Sequence, residues 1–224
     1  MTGYRLQLPA GWVRTRLTGD LDRAVGEVVE RTLPRAEFGD SDGAAARWRL
    51  RDELRKSLAA AADAGGVDMY SFEGEVEGIR LPMSFSVSVT HLGASVGTLP
   101  LETFAAGMSN SGDTQVVDFP AGEMIRTERR SLEPAGTSLH RAEPVGNDVG
   151  ALSAANQAAV RALYGFAADH ADVEVSQTTV DYLVPIPGEV GTFVVVSLVA
   201  PGASHVEARV GHFDMLMAGF GWTG

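Results

Sequence analysis

Asp181-Tyr182-Leu183-Val184-Pro185-Ile186-Pro187-Gly188-Glu189-Val190-Gly191-Thr192-Phe193-Val194-Val195-Val196-Ser197-Leu198-Val199-Ala200 decides the fold class. Two runs rich in β-branched and aromatic residues flank a Pro-Gly turn, the pattern of a hairpin. Further on, Val206, Val210, Phe213, Met217 and Phe220 recur at i, i+4, i+7, i+11 and i+14, the stripe of an amphipathic helix that stops at Gly219. Ser204 and Glu207 have the spacing of a capping box at its start. A hairpin with a helix folded back across it is expected.

Working outward, Asp20 is an N-cap for a helix carrying Leu21, Val25, Val28 and Leu33, and Pro34 stops it. A second helix starts near Ser41 or Asp42, with Trp48, Leu50, Leu54, Leu58 and Ala61 expected inside and Arg47, Arg51, Asp52 and Arg55 outside; Gly65-Gly66 ends it. The period then changes to two. Residues 67–75 read as a strand and Glu77-Gly78 as a turn. Residues 83–90 alternate apolar and hydroxyl side chains, which predicts one core face and one wet face. Residues 99–108 can form a short helix before the polar loop 109–113. Residues 114–119 and 123–132 read as another hairpin around Pro120-Ala121-Gly122. The Pro- and Gly-rich stretch 133–150 reads as a long surface loop. Ser153 can cap an alanine-rich helix with Leu152, Ala155, Ala159, Leu163 and Phe166 on one face, and residues 177–185 and 192–200 are the closing strands.

Composition bounds the function classes. With 224 residues, 45% of them apolar and 21% charged, the chain can bury one sizeable core. It holds no cysteine, which excludes disulfides, thiolate metal ligands and a cysteine nucleophile. A net charge of −11 opposes nucleic acid and anionic lipid as partners. The longest apolar run, 193–200, is far short of the roughly 20 residues that span a bilayer. The start, Met1-Thr2-Gly3-Tyr4-Arg5-Leu6-Gln7-Leu8-Pro9, lacks the pattern of a secretory signal, so a cytoplasmic location is expected. Lys56 is the single lysine, a codon signature of a GC-rich genome.

Helix near the start, successive hairpins, and a closing strand pair followed by a helix: this order resembles the small α+β proteins of the Mog1/PsbP-like fold. The resemblance is carried by residues 181–188, 193–200 and 212–222, ending in Phe220-Gly221-Trp222. It implies a mostly non-enzymatic role, since members of that fold include regulators of a small GTPase, extrinsic photosystem subunits, lipoproteins and chaperone-like adaptors. It carries over no catalytic motif.

Candidate chemistry is sparse. His205, Arg209 and His212 lie along one side of the last helix, but the two imidazoles are spaced by seven and no carboxylate completes a metal set. Asp169-His170-Ala171-Asp172 places an imidazole among carboxylates, where a helix C-terminus accounts for the histidine without catalysis. Gly107-Met108-Ser109-Asn110-Ser111-Gly112 misses the Gly-x-Ser-x-Gly spacing of a nucleophile elbow by one residue. Arg126, Glu128 and Arg130, alternating with Thr127 and Arg129, read as a charged edge strand and as a candidate contact for a protein partner.

The sequence therefore predicts one α+β domain over residues 1–224: a twisted, mostly antiparallel sheet of five to seven strands with helices on its faces. The expected function is a non-catalytic, cytoplasmic protein-interaction or adaptor module, able to self-associate and needing no cofactor or metal. The alternative is a small-molecule-binding protein or a hydrolase with a cleft beside loop 133–148.

Overall fold

The computed structural model describes residues 3–37, 41–74, 83–108, 112–134, 174–201 and 205–223. In chain order these form Gly3–Leu6 (β1), Trp12–Arg16 (β2), Leu21–Thr32 (α1), Ser41–Asp63 (α2), Gly66–Phe72 (β3), Ser84–His91 (β4) and Ala94–Gly97 (α3). Leu101–Met108 (α4), Asp113–Phe119 (β5), Gly122–Pro134 (β6), Glu174–Pro185 (β7), Thr192–Pro201 (β8), Val206–Ala218 (α5) and Phe220–Thr223 (β9) follow. The class is α+β, built on a seven-stranded antiparallel sheet in the order β2-β3-β4-β8-β7-β6-β5. The alanine-rich segment from Ser153 and most of loop 133–150 lie outside the described residues.

The β7–β8 hairpin forms as the sequence predicts. Its turn needs two residues of positive φ, and glycines supply both: Gly188 at 79° and Gly191 at 72°. The Ile186 amide donates to the Thr192 carbonyl at 3.1 Å and closes the loop. Register places Phe85 beside Leu198, and Val87 and Tyr182 beside Val196, so their side chains share one face. Helix α5 covers that face with Val206, Val210, Phe213, Leu216 and Met217. Gly219 stops the helix, and Phe220 completes the stripe from β9. Ser204 of the predicted capping box lies outside the described residues; the position before α5 is His205 in the left-handed region, with no side-chain cap, and Glu207 accepts from Arg130.

On the opposite face two apolar clusters sit apart. Leu17 and Met69 pack with Val25, Val28 and Val29 of α1 and Leu54, Leu58 and Ala61 of α2. The Asp20 carboxylate caps α1 by accepting from the Arg23 amide at 3.0 Å, as its sequence implies. Ala105 of α4 packs with Ile125, Leu183, Phe193 and Val195. Between these clusters the hydroxyl side of β4 is buried, not wet: Ser84, Ser86 and Ser88 are all inside, whereas Val89 on the α5 side is 41% exposed. The β1–β9 pair, in which Tyr4 stacks on Phe220 at 6.0 Å, is absent from the sequence reading, as are β2 and α3.

Phe213 touches both Phe85 and Tyr182 at 5.6 Å between ring centroids, spanning three strands of the sheet from one helix position. Phe213→Ala is expected to cost about 3–5 kcal/mol in urea unfolding, the range for deleting a fully buried ring. An unchanged urea midpoint would mean that α5 is not held by this contact.

Candidate functional site

Three groups of side chains stand out from the apolar framework. The first contains the candidate partner contact. Arg126, Glu128 and Arg130 alternate along β6, so they face α5 together. Arg126 is 8% exposed; its Nε and Nη2 donate to Asp214 at 3.1 and 3.2 Å, and Nη2 also to Glu128 at 3.1 Å. The Tyr182 hydroxyl donates to Asp214 at 2.6 Å, while Arg130 bridges Glu128 at 3.0 Å and Glu207 at 3.1 Å. Strand β6 is thus no edge strand, because β5 lies outside it, and its charges ladder onto a helix some eighty residues later. Burial opposes ionisation of Glu128, but the Arg126 and Arg130 guanidinium groups hold its pKa below the usual value. Of the three, Arg130 reaches furthest into solvent, two residues from Leu132, which is 68% exposed.

The second group lies on the other face. Register aligns Ser86, Ser197, Asp181 and Thr127 across β4, β8, β7 and β6, all buried. The Ser197 hydroxyl donates to one oxygen of Asp181 and Arg129 pairs with the other. Burial raises the Asp181 pKa, and Arg129 and Ser197 work against that rise. Ser84 Oγ, Ser86 Oγ and Gln177 Nε2, on the same face, are buried without a hydrogen-bond partner. A serine nucleophile needs a free neighbouring base. Asp181 is engaged at both oxygens, and among the described residues the histidines lie elsewhere: His212 stacks on Trp12 and meets Phe72 at a tilt on the α5 side, His91 meets Thr192 at the end of the β4–β8 pair, and His205 precedes α5. Of His205, Arg209 and His212, which the sequence sets along one side of the last helix, Arg209 is buried and His205 exposed, so the three residues do not converge. The Asp169-His170-Ala171-Asp172 stretch and the serines at 109 and 111 lie outside the described residues. Among the described residues no three His, Asp or Glu side chains are grouped to hold a metal.

The third group is the outer stripe of α2. Trp48, expected inside, is 68% exposed. Leu50, Leu54, Leu58 and Ala61 repeat at helical spacing toward the core, and Trp48 stands two residues before Leu50, about 200° around the helix at 3.6 residues per turn. Arg49, Arg51 and Arg55 are exposed around it. Arg47 instead turns inward, pairing with Glu30 at 2.6 Å and donating to the Leu33 carbonyl, which fastens α2 to the end of α1.

Two expectations follow. Arg126→Gln should cost about 3 kcal/mol, the lower end for breaking a buried pair, since Asp214 keeps partial access to water. Arg130→Gln, by contrast, should leave the thermal midpoint nearly unchanged; equal effects would show that the ladder does not anchor α5. Burial lowers the His212 pKa below 6.5. The unfolded chain then binds the proton first, so stability is full above the unfolded pKa of about 6.5 and falls as pH drops toward the folded value. Urea titrations across that window should show a shallower fall for His212→Gln; parallel curves would assign the fall to other groups.

No protein-family model matches this chain, and no curated protein matches it. What bears on its role is the placement of its own side chains.

Proposed function

We propose that the chain is a non-catalytic, cytoplasmic protein-binding module, an adaptor of the Mog1/PsbP-like kind, and that its contact surface includes the outer face of α2. One observation carries this reading: a tryptophan 68% exposed on a helix whose opposite stripe is buried at Leu54, Leu58 and Ala61. Tryptophan and arginine are the side chains most enriched where protein interfaces concentrate their binding energy. Isolated exposed apolar residues are ordinary, but here a large aromatic stands among three arginines. The engagement of both Asp181 oxygens supports the non-catalytic half of the proposal. The exposed end of β6, with Arg130 and Leu132, is a further contact candidate.

A second reading, a binding site for a small polar molecule on the hydroxyl face, is favoured by the unpartnered Ser84, Ser86 and Gln177 atoms, which would gain hydrogen bonds from such a molecule.

Affinity capture from native lysate with wild type and Trp48→Ala tests the adaptor reading. Trp48→Ala should keep its stability within about 0.5 kcal/mol, as surface substitutions do, and lose the captured partner. A variant that retains every partner, beside a wild-type protein that turns over an ester or phosphoester, would replace the adaptor with the hydrolase.

A further inference from the structure

We propose that the outer face of α2 docks an acidic segment of another protein, seating an apolar side chain of that segment on Trp48 and its carboxylates on Arg49, Arg51 and Arg55. This rests on the adaptor reading and adds the chemistry of the partner.

Charge distribution argues for it. Residues 47–56 hold five of the chain's eighteen basic side chains against two acidic ones, in a protein of net charge −11. Nearby basic groups are mostly consumed internally: Arg23 by Glu27, Arg31 by Glu73, Arg47 by Glu30 and Lys56 by Asp52. Arg49 and Arg51 have no carboxylate partner among the described residues. Arg55 meets Asp22 at 3.2 Å with both side chains well exposed, a pair that water screens and a ligand can exchange. Helical spacing places Arg51 and Arg55 at i+3 and i+7 from Trp48, on its own stripe, with the Arg51 guanidinium lying toward Gly26 of α1, while Arg49 lies about 100° further round and flanks the ring from the other side. Asp52, at i+4, is the acid on that stripe, and Lys56 neutralises it at 2.6 Å. The result is an apolar platform ringed by cations. A bound carboxylate would gain bidentate guanidinium bonds, and an apolar side chain would gain the face of a large ring.

Other occupants fit less well. A symmetric contact with a second copy would set this basic stripe against itself, since a two-fold interface pairs the same patch from both subunits. Nucleic acid would meet a basic footprint one helix long on a strongly acidic molecule. An acidic segment matches the patch locally, and repulsion from the rest of the surface restricts it to this face.

The test uses the full chain and a labelled synthetic peptide of glutamates around one leucine, with a glutamine-for-glutamate peptide as control, followed by fluorescence anisotropy. Wild type should bind the glutamate peptide about tenfold or more tightly than the control, the scale of an interface hot spot, and lose that binding as salt shortens the screening length. Arg49→Glu with Arg51→Glu, and separately Trp48→Ala, should each weaken it about tenfold, a loss of about 1.4 kcal/mol, with unchanged thermal melts. Equal affinity for both peptides, no binding of the glutamate peptide, or indifference to the double reversal would overturn the proposal. So would tighter binding of a single-stranded oligonucleotide, or a sedimentation dimer that Trp48→Ala abolishes. The two readings fail separately. If Trp48→Ala loses the lysate partner and the double reversal keeps it, the adaptor stands and the acidic partner falls; if Trp48→Ala keeps it, both fall.

Discussion

Strand β8 is buried on both faces along almost its whole length, and the rest of the molecule is arranged to satisfy that burial. Val194, Val196 and Leu198 need an apolar cover on one side; Phe193, Val195 and Val199 need another on the opposite side. A sheet strand is inside on both faces only where other elements lie above and below it. Helix α5 answers the first demand, with Phe213 and Met217 at its centre. Helix α4 answers part of the second through Ala105, and α1 with α2 cover the β2–β3 end. Strands β4 and β7 share this burial because they are the hydrogen-bonded neighbours of β8.

Charge inside such a frame has to be matched. Among the described residues two carboxylates are almost fully buried, one toward each face. Asp68 accepts from Arg14 at 2.7 and 2.6 Å and from the Tyr4 hydroxyl, which ties β1 and β2 to β3. Burial, with the bond to Asp68 second, drives the Tyr4 pKa far above its ordinary value, so that hydroxyl stays a donor. Asp181 ties β6, β7 and β8 through Arg129 and Ser197. Buried ion pairs add little net stability over well-packed apolar groups, but removing one partner is strongly unfavourable. Their effect here is to fix register: a one-residue slip of β3 or β7 would carry each carboxylate to the wrong face, away from its arginine.

Local pattern was enough for what local pattern determines. The apolar run 193–200 announces a strand with no wet side, as doubly covered strands do, and Val206, Val210, Phe213 and Met217 of the 206–220 stripe are buried in α5, where Leu216 and Arg209 join them and Phe220 falls in β9. Phase explains the Trp48 error: the tryptophan is apolar but out of step with Leu50, Leu54 and Leu58, and the period is better evidence than hydrophobicity alone. Hydroxyls are usually solvated, so Ser84, Ser86 and Ser88 read as a wet face; the opposing polar residues that make a buried polar layer, Asp181 on β7 and Ser197 on β8, stand about a hundred positions later. Arg126 likewise looked like edge protection, since its partner Asp214 is distant in sequence and invisible to any local rule. The four-residue β1 and β9 carry too little pattern to be seen, and form because Tyr4, Phe220 and Trp222 pack together at the core margin.

Double-sided burial also restricts where contact with anything else can occur. Strand β8 offers no open face, and the sheet ends at β2 and β5. On β5 the side chains of Asp113 and Asp118 point to water and repel the acids that prevail on a similarly charged molecule, while on β2 Arg14 is already held by Asp68. Among the described residues, the helices offer further accessible surface besides the exposed end of β6. Helix α1 lends its exposed charges to α2 and to the chain after β3, through Asp22, Glu30 and Arg31. Helix α5 lends Glu207 and Asp214 to β6. Helix α2 directs inward the residues that hold it, Leu54, Leu58 and Arg47, and leaves Trp48, Arg49 and Arg51 committed to no described neighbour by an ion pair or a ring contact. A side chain that the fold does not use, on an element the fold cannot lose, is free to change with a partner without changing the sheet beneath it.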